Sequence, residues 1–148
     1  DLRDMRSRIA AAKSPFGVWD AKLGPGRLQD IELFAQTGLI LAGSPARDVI
    51  SGLESSVATG LLNVAELEIL SEAYFMMFRV QMATRLLTIG AVDVEKIGVK
   101  GRAVLLRAVG LDCISKAEIK LKMIYSSAGN IINSAVDDDG QKEGNSGR

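Results

Sequence analysis

The sequence predicts an all-α protein, a bundle of about five to seven helices in antiparallel packing with little or no sheet. Three observations carry that expectation. Apolar residues recur at spacings of three and four through most of the chain, the repeat of one helix face. The hydrophobic content is 47% with only 5% aromatic, so Leu, Ile, Ala and Val dominate the core, a palette suited to helix-on-helix packing. No segment alternates apolar and polar residues convincingly, which leaves at most a token strand near Trp19.

Residues 1–13 read as a helix that sets Asp1 and Asp4 against Arg3, Arg6 and Arg8, with Met5, Ile9 and Ala12 on one face. Ser14-Pro15-Phe16-Gly17 breaks it. Val18 to Leu23 reads as short and irregular, and Gly24-Pro25-Gly26 cannot continue any helix. A strong helix follows from Arg27 to about Ala42, its apolar face built on Leu28, Ile31, Leu33, Phe34, Ala35, Ile40 and Leu41. Ser44 before Pro45 reads as an N-cap and first-turn pair for a helix over 45–56, with Val49, Ile50, Leu53 and Val57 inward.

Asn63 is the expected N-cap of the longest helix, 64–88, which repeats Leu67, Leu70, Tyr74, Met77, Val80 and Leu87 and uses Met76, Met77 and Met82 as adaptable core filler. Asp93 to Gly101 reads as a helical turn and loop, and Arg102 to Val109 as a short helix stopped by Gly110. A final helix over 115–136 carries the seam Ala117, Leu121, Ile124, Ala128, Ile131 and Ala135. Residues 1–136 thus form one helical domain. The remaining 137–148, without an apolar residue, predicts a disordered polar tail.

Composition excludes much chemistry. Eighteen basic residues balance eighteen acidic ones, so no net field draws the chain to nucleic acid or to a membrane surface. No stretch approaches the roughly 20 apolar residues of a membrane span, and the charged start is no signal peptide. The chain has no histidine, which removes the His-dependent triads and Cys/His zinc sites. The lone Cys113 reads as a small buried hydrophobe of a reducing, cytoplasmic protein. No catalytic residue and no metal-ligand set emerges. The chain also lacks an initiating Met, which points to a fragment of something longer.

The candidate site is the junction Lys22 to Glu32. Its glycine-rich loop leads into a helix N-terminus, where free N–H groups and the helix dipole can hold a phosphate. Lys22, Gly24, Gly26 and Arg27 are the expected phosphate-facing set, with a plain tight turn as the alternative. It is neither a Walker A loop nor a dinucleotide fingerprint. Asp30 and Glu32, about 200° apart around a helix, cannot grip one ion; with Arg79 they are candidates for domain contact or support.

The segment Lys22-Leu23-Gly24-Pro25-Gly26-Arg27-Leu28-Gln29-Asp30-Ile31-Glu32-Leu33-Phe34-Ala35-Gln36 resembles the glutamine synthetase adenylyltransferases, with weaker agreement at Asp1 to Ile9 and at Ala73 to Arg79. Arg27 stands where that family usually repeats glycine, and Leu33 where an aromatic is usual. The resemblance implies a helical bundle following a nucleotidyltransferase domain, the C-terminal half of the enzyme by the look of the tail. That neighbouring domain would hold ATP and Mg²⁺, while this fragment would bind no cofactor and be inactive alone. Implied partners are glutamine synthetase, the PII signal protein and the fragment's own nucleotidyltransferase domain. Two alternatives stand beside it: a docking module for PII or glutamine synthetase without nucleotide contact, and the helical domain of a PII uridylyltransferase.

Overall fold

Six α-helices and one 3₁₀ turn make up the computed structural model, which describes residues 2–11 and 16–145 and holds no strand among them. In chain order these are α1 (Leu2–Ala11), the 3₁₀ turn Gly17–Trp19, α2 (Leu28–Ala42), α3 (Val49–Ala58), α4 (Val64–Leu87), α5 (Gly98–Val109) and α6 (Ile114–Asn145). The fold is all-α, as the apolar periodicity requires.

α4 is the hub, packing on α2, α3, α5, α6 and the 3₁₀ turn. Its first turn closes with a reciprocal cap: Asn63 Oδ1 accepts from Glu66 N at 2.8 Å and Glu66 Oε1 accepts from Asn63 N at 3.0 Å. Beyond the cap, Leu70, Ala73, Met77 and Val80 form its buried stripe. They meet Ile31 and Phe34 of α2, Leu53 of α3, Leu105 of α5, and Leu121 and Ile132 of α6 in one aliphatic core. Each fully buried Leu or Ile there contributes roughly 1.5–3 kcal/mol.

α2 and α3 touch backbone to backbone. A Cβ on Gly38 would stand 2.2 Å from Ser56 Oγ and 2.5 Å from Gly52 O, and one on Gly52 would stand 2.4 Å from Ala35 O. Ser56 Oγ donates to Gly52 O at 2.9 Å inside this seam. Glycine in a helix interior costs about 1 kcal/mol relative to alanine. The close approach of the two helices requires it here.

Several expectations are corrected. α3 begins at Val49, not Pro45, because Asp48 takes the cap: its carboxylate accepts from Ser51 N at 2.8 Å and Ser51 Oγ at 2.7 Å. Ser44 Oγ instead accepts from Ala46 N at 3.2 Å within the connection. α5 starts at Gly98, and the stretch around Trp19 is a 3₁₀ turn rather than a strand. Met82 is exposed, whereas Met76 and Met77 are core. Cys113 is only half-buried; its Sγ lies 3.0 Å from Ser115 Oγ, and that contact together with nearby backbone N–H groups lowers the thiol's pKa.

α6 runs on to Asn145, through residues for which composition predicts disorder. A helix already nucleated extends at little further cost, and the buried seam up to Val136 holds the preceding turns. The expected break at Ser14-Pro15 and the final residues 146–148 lie outside the described residues.

Candidate functional site

The junction is held by contacts within the chain. Gly24 and Gly26 take positive φ, +131° and +69°, backbone that side chains rarely adopt. Arg27, in extended backbone with φ −98°, is the N-cap residue of α2. Gly26 lies directly under α6: a Cβ there would fall 2.0 Å from Tyr125 O and 2.6 Å from Gly129 N.

Asp30 is the centre of this arrangement. It is 0% exposed, and its Oδ2 accepts from Gly26 N at 2.8 Å. Arg6 of α1 donates through Nε to Oδ1 and through its terminal nitrogen to Oδ2, both at 3.0 Å, the two-pronged geometry that makes Arg–carboxylate pairs strong. The same guanidinium also donates to Asn133 Oδ1 on α6. One carboxylate therefore ties α1, the glycine loop and α2 together, and Arg6 carries the tie on to α6.

Arg27 turns back over the loop. Its guanidinium donates to Gly17 O at 2.7 Å and to Asp20 O, and lies 4.3 Å from the centre of the Tyr125 ring, a cation–π distance. Tyr125, 5% exposed, donates to Val18 O at 2.9 Å. Burial pushes its phenol pKa well up, with the Arg27 charge opposing and Asp20 reinforcing. The pair clamps the 3₁₀ turn to α6.

An anion at the start of α2 would meet few free donors. Arg27 N donates to Gly24 O at 3.2 Å, Leu28 N to Ala21 O at 2.9 Å and Gln29 N to Lys22 O at 3.0 Å, while Gly26 N is held by Asp30. The Asp20 carboxylate likewise accepts from Lys22 N at 3.0 Å and Leu23 N at 3.3 Å. Of the four residues expected to face phosphate, only exposed Lys22 keeps its charged group clear of these contacts. With Arg85 it lines a cavity of about 250 Å³ beside buried Trp19. The Trp19 Nε1–H has no hydrogen-bond partner among the described residues.

The structure brings Lys22, Gly24, Gly26, Arg27 and Asp30 into one unit. It does not bring Glu32 or Arg79 to it. Exposed Glu32 lines a separate surface hollow with Arg47 and Asp48, and Arg79 Nε donates to Ala108 O at 3.3 Å at the end of α5. No group of three or more His, Cys, Asp or Glu among the described residues is placed to hold a metal ion, and no described helix is long and apolar enough to cross a membrane. Sequence reasoning missed Arg6, Asn133 and Tyr125. Arg6 reads in sequence as one of several surface arginines, and nothing local pairs it with a residue 24 positions away; Tyr125 alone carried a signal, as the one aromatic in the aliphatic stretch of α6.

Comparison with known proteins agrees with the resemblance seen at the junction. The family model described as GlnD PII-uridylyltransferase matches residues 3–112. A bifunctional glutamine synthetase adenylyltransferase/adenylyl-removing enzyme of Rhizobium meliloti (strain 1021) is 35% identical over 101 residues, 63% of this chain and 10% of that protein. The enzyme of the same name from Brucella suis biovar 1 is 30% identical over 133 residues, 84% of this chain and 13% of that protein. The chain thus spans little more than a tenth of the length of these relatives. With the family match extending over most of its residues, the chain belongs to the GlnD PII-uridylyltransferase family, with glutamine synthetase adenylyltransferases among its relatives.

Proposed function

We propose that this chain is the helical domain of a glutamine synthetase adenylyltransferase, a larger cytoplasmic enzyme that transfers AMP from ATP to a tyrosine of glutamine synthetase and removes it again. Its own part is to brace the catalytic cleft of an adjoining nucleotidyltransferase domain. The observation that carries the reading is the Arg6–Asp30–Gly26 lock, which makes the family-like junction a rigid edge. Rigid elements hold substrate-positioning groups better than mobile loops. On that edge Lys22, with Arg85 across the shared cavity, would face the neighbouring domain and its nucleotide phosphates, while ATP and Mg²⁺ would be held by that domain.

The relatives' name favours adenylyl over uridylyl transfer. The complete enzyme tests this directly. Labelled AMP should pass from ATP to glutamine synthetase; labelled UMP passing from UTP to PII instead would assign the uridylyltransferase reading. Within that enzyme Lys22→Ala should raise the KM for ATP several-fold with the fold intact. An unchanged KM, with saturable binding of this chain to glutamine synthetase or PII without nucleotide, would assign it to docking.

A further inference from the structure

We infer that the groove between α4 and α6 is a docking site for an amphipathic helix that is acidic at one end. Its walls present Ile69 and Phe75 from α4 and Ile119 and Met123 from α6, exposed by 43%, 50%, 60% and 68%, around a cavity of about 800 Å³. Large apolar side chains scattered singly over a surface need no explanation, but several around one groove mark an interaction site. The α4 wall follows helical spacing from Ile69 to Arg79 and the α6 wall from Lys116 to Ser127. Each is a continuous stripe, about 15 Å long on α4 at the helical rise per residue. That length matches roughly three turns of an incoming helix laid into the groove, with anchors at every third or fourth position.

Charge identifies the partner. Arg79 Nε donates to Ala108 O at 3.3 Å and Lys120 Nζ to Val109 O at 3.1 Å, so both cations gather where α5 ends. Exposed Lys116 stands one turn before Lys120 on the same wall. Against these three, Glu72 is the one carboxylate among the lining residues. The groove therefore has a basic end and a remainder that is apolar apart from Glu72 and Ser127, and complementarity calls for carboxylates at one end of the ligand. Shape disfavours the other occupants. Two copies meeting groove to groove would oppose two concave surfaces that cannot fill one another, and a concave groove does not lie flat on a bilayer.

The test uses a stapled amphipathic peptide of about four helical turns, with Leu at anchor spacing and Glu at one end, and a twin carrying Lys in place of Glu. Fluorescence anisotropy should show the acidic peptide binding this chain at least about tenfold more tightly than its twin, the size of one well-formed charged contact. Phe75→Asp with Met123→Asp, both exposed positions, should abolish binding with the helical circular dichroism unchanged. Lys116→Glu should narrow or invert the preference between the peptides. Equal binding of both peptides, or binding of neither, would overturn the proposal. So would a concentration-dependent dimer, or binding to anionic phosphatidylserine vesicles, that the Phe75 and Met123 changes abolish.

Discussion

The Arg6 guanidinium holds the Asp30 carboxylate with two parallel hydrogen bonds of 3.0 Å, at a point where the Asp30 side chain is wholly inaccessible to water. A buried carboxylate is tolerable only when its charge and lone pairs are met. Here Arg6 meets the charge and Gly26 N–H supplies a third hydrogen bond at 2.8 Å.

Asp30→Ala should lower unfolding free energy by about 3–5 kcal/mol, the cost of breaking a buried ion pair by removing one partner. Glu32→Ala, two residues on but exposed, should leave the urea midpoint where it was. Equal effects would remove the distinction drawn between the two acids.

Two glycines face each other across the loop and α6, and they differ in kind. Gly26→Ala places a Cβ 2.0 Å from Tyr125 O at a positive φ, whereas a Cβ on Gly129 would sit no closer than 3.5 Å to Gly26 N. Gly26→Ala should therefore cost at least about 2 kcal/mol from backbone strain and overpacking. Gly129→Ala should be neutral or stabilising by up to about 1 kcal/mol through helix propensity, as read from paired thermal melts.

In the α2–α3 seam the same propensity gain is outweighed. Gly52→Ala must push against Ala35 O at 2.4 Å, and Gly38→Ala against Ser56 Oγ at 2.2 Å. Each should destabilise by roughly 1–3 kcal/mol. Gly52→Ala should cost at least as much as Gly38→Ala: both meet backbone, Gly38 at Gly52 O (2.5 Å) and Gly52 at Ala35 O (2.4 Å), and only the Ser56 Oγ part of the Gly38 clash can rotate away. Denaturant titration of the two variants gives the order.

Tyr125 and Tyr74 both have pKa values raised, chiefly by burial, with Glu32 and Asp48 adding to the shift of Tyr74. A phenol whose folded pKa exceeds its unfolded value of about 10 contributes stability fully present below that pH and lost as pH rises toward the folded value. The unfolding midpoint should thus fall above about pH 10. Tyr125→Phe should flatten that decline and remove the later-rising part of the tyrosinate absorbance. It should also cost about 1 kcal/mol at neutral pH, from the lost bond to Val18 O.

The fold was legible because its evidence is local. Helical spacing and the caps at Asn63 and Gly110 place α4 and the end of α5 from sequence alone. The start of α3 was not, since Ser44-Pro45 reads as the N-cap pair while the cap is made by the Asp48 carboxylate, which accepts from Ser51 N at 2.8 Å and Ser51 Oγ at 2.7 Å. At the junction the glycines announced a special backbone, and Gly24 and Gly26 do take positive φ. What they serve was hidden, because Arg6 reaches Asp30, Asn133 reaches Arg6 and Tyr125 reaches Arg27 through tertiary contacts that no local spacing encodes. The mid-helix Gly38 and Gly52 likewise carry no local sign of their use, which is the close approach of α2 and α3.

The central claim is that the junction is a lock rather than an open anion cradle, and one double-mutant cycle tests it most directly. Arg6→Ala, Asp30→Ala and the double variant are compared by urea unfolding of this chain. The expected coupling between the two residues is at least about 2 kcal/mol, within the range of contacting, hydrogen-bonded pairs. Additive effects, with coupling within about 0.5 kcal/mol of zero, would contradict it.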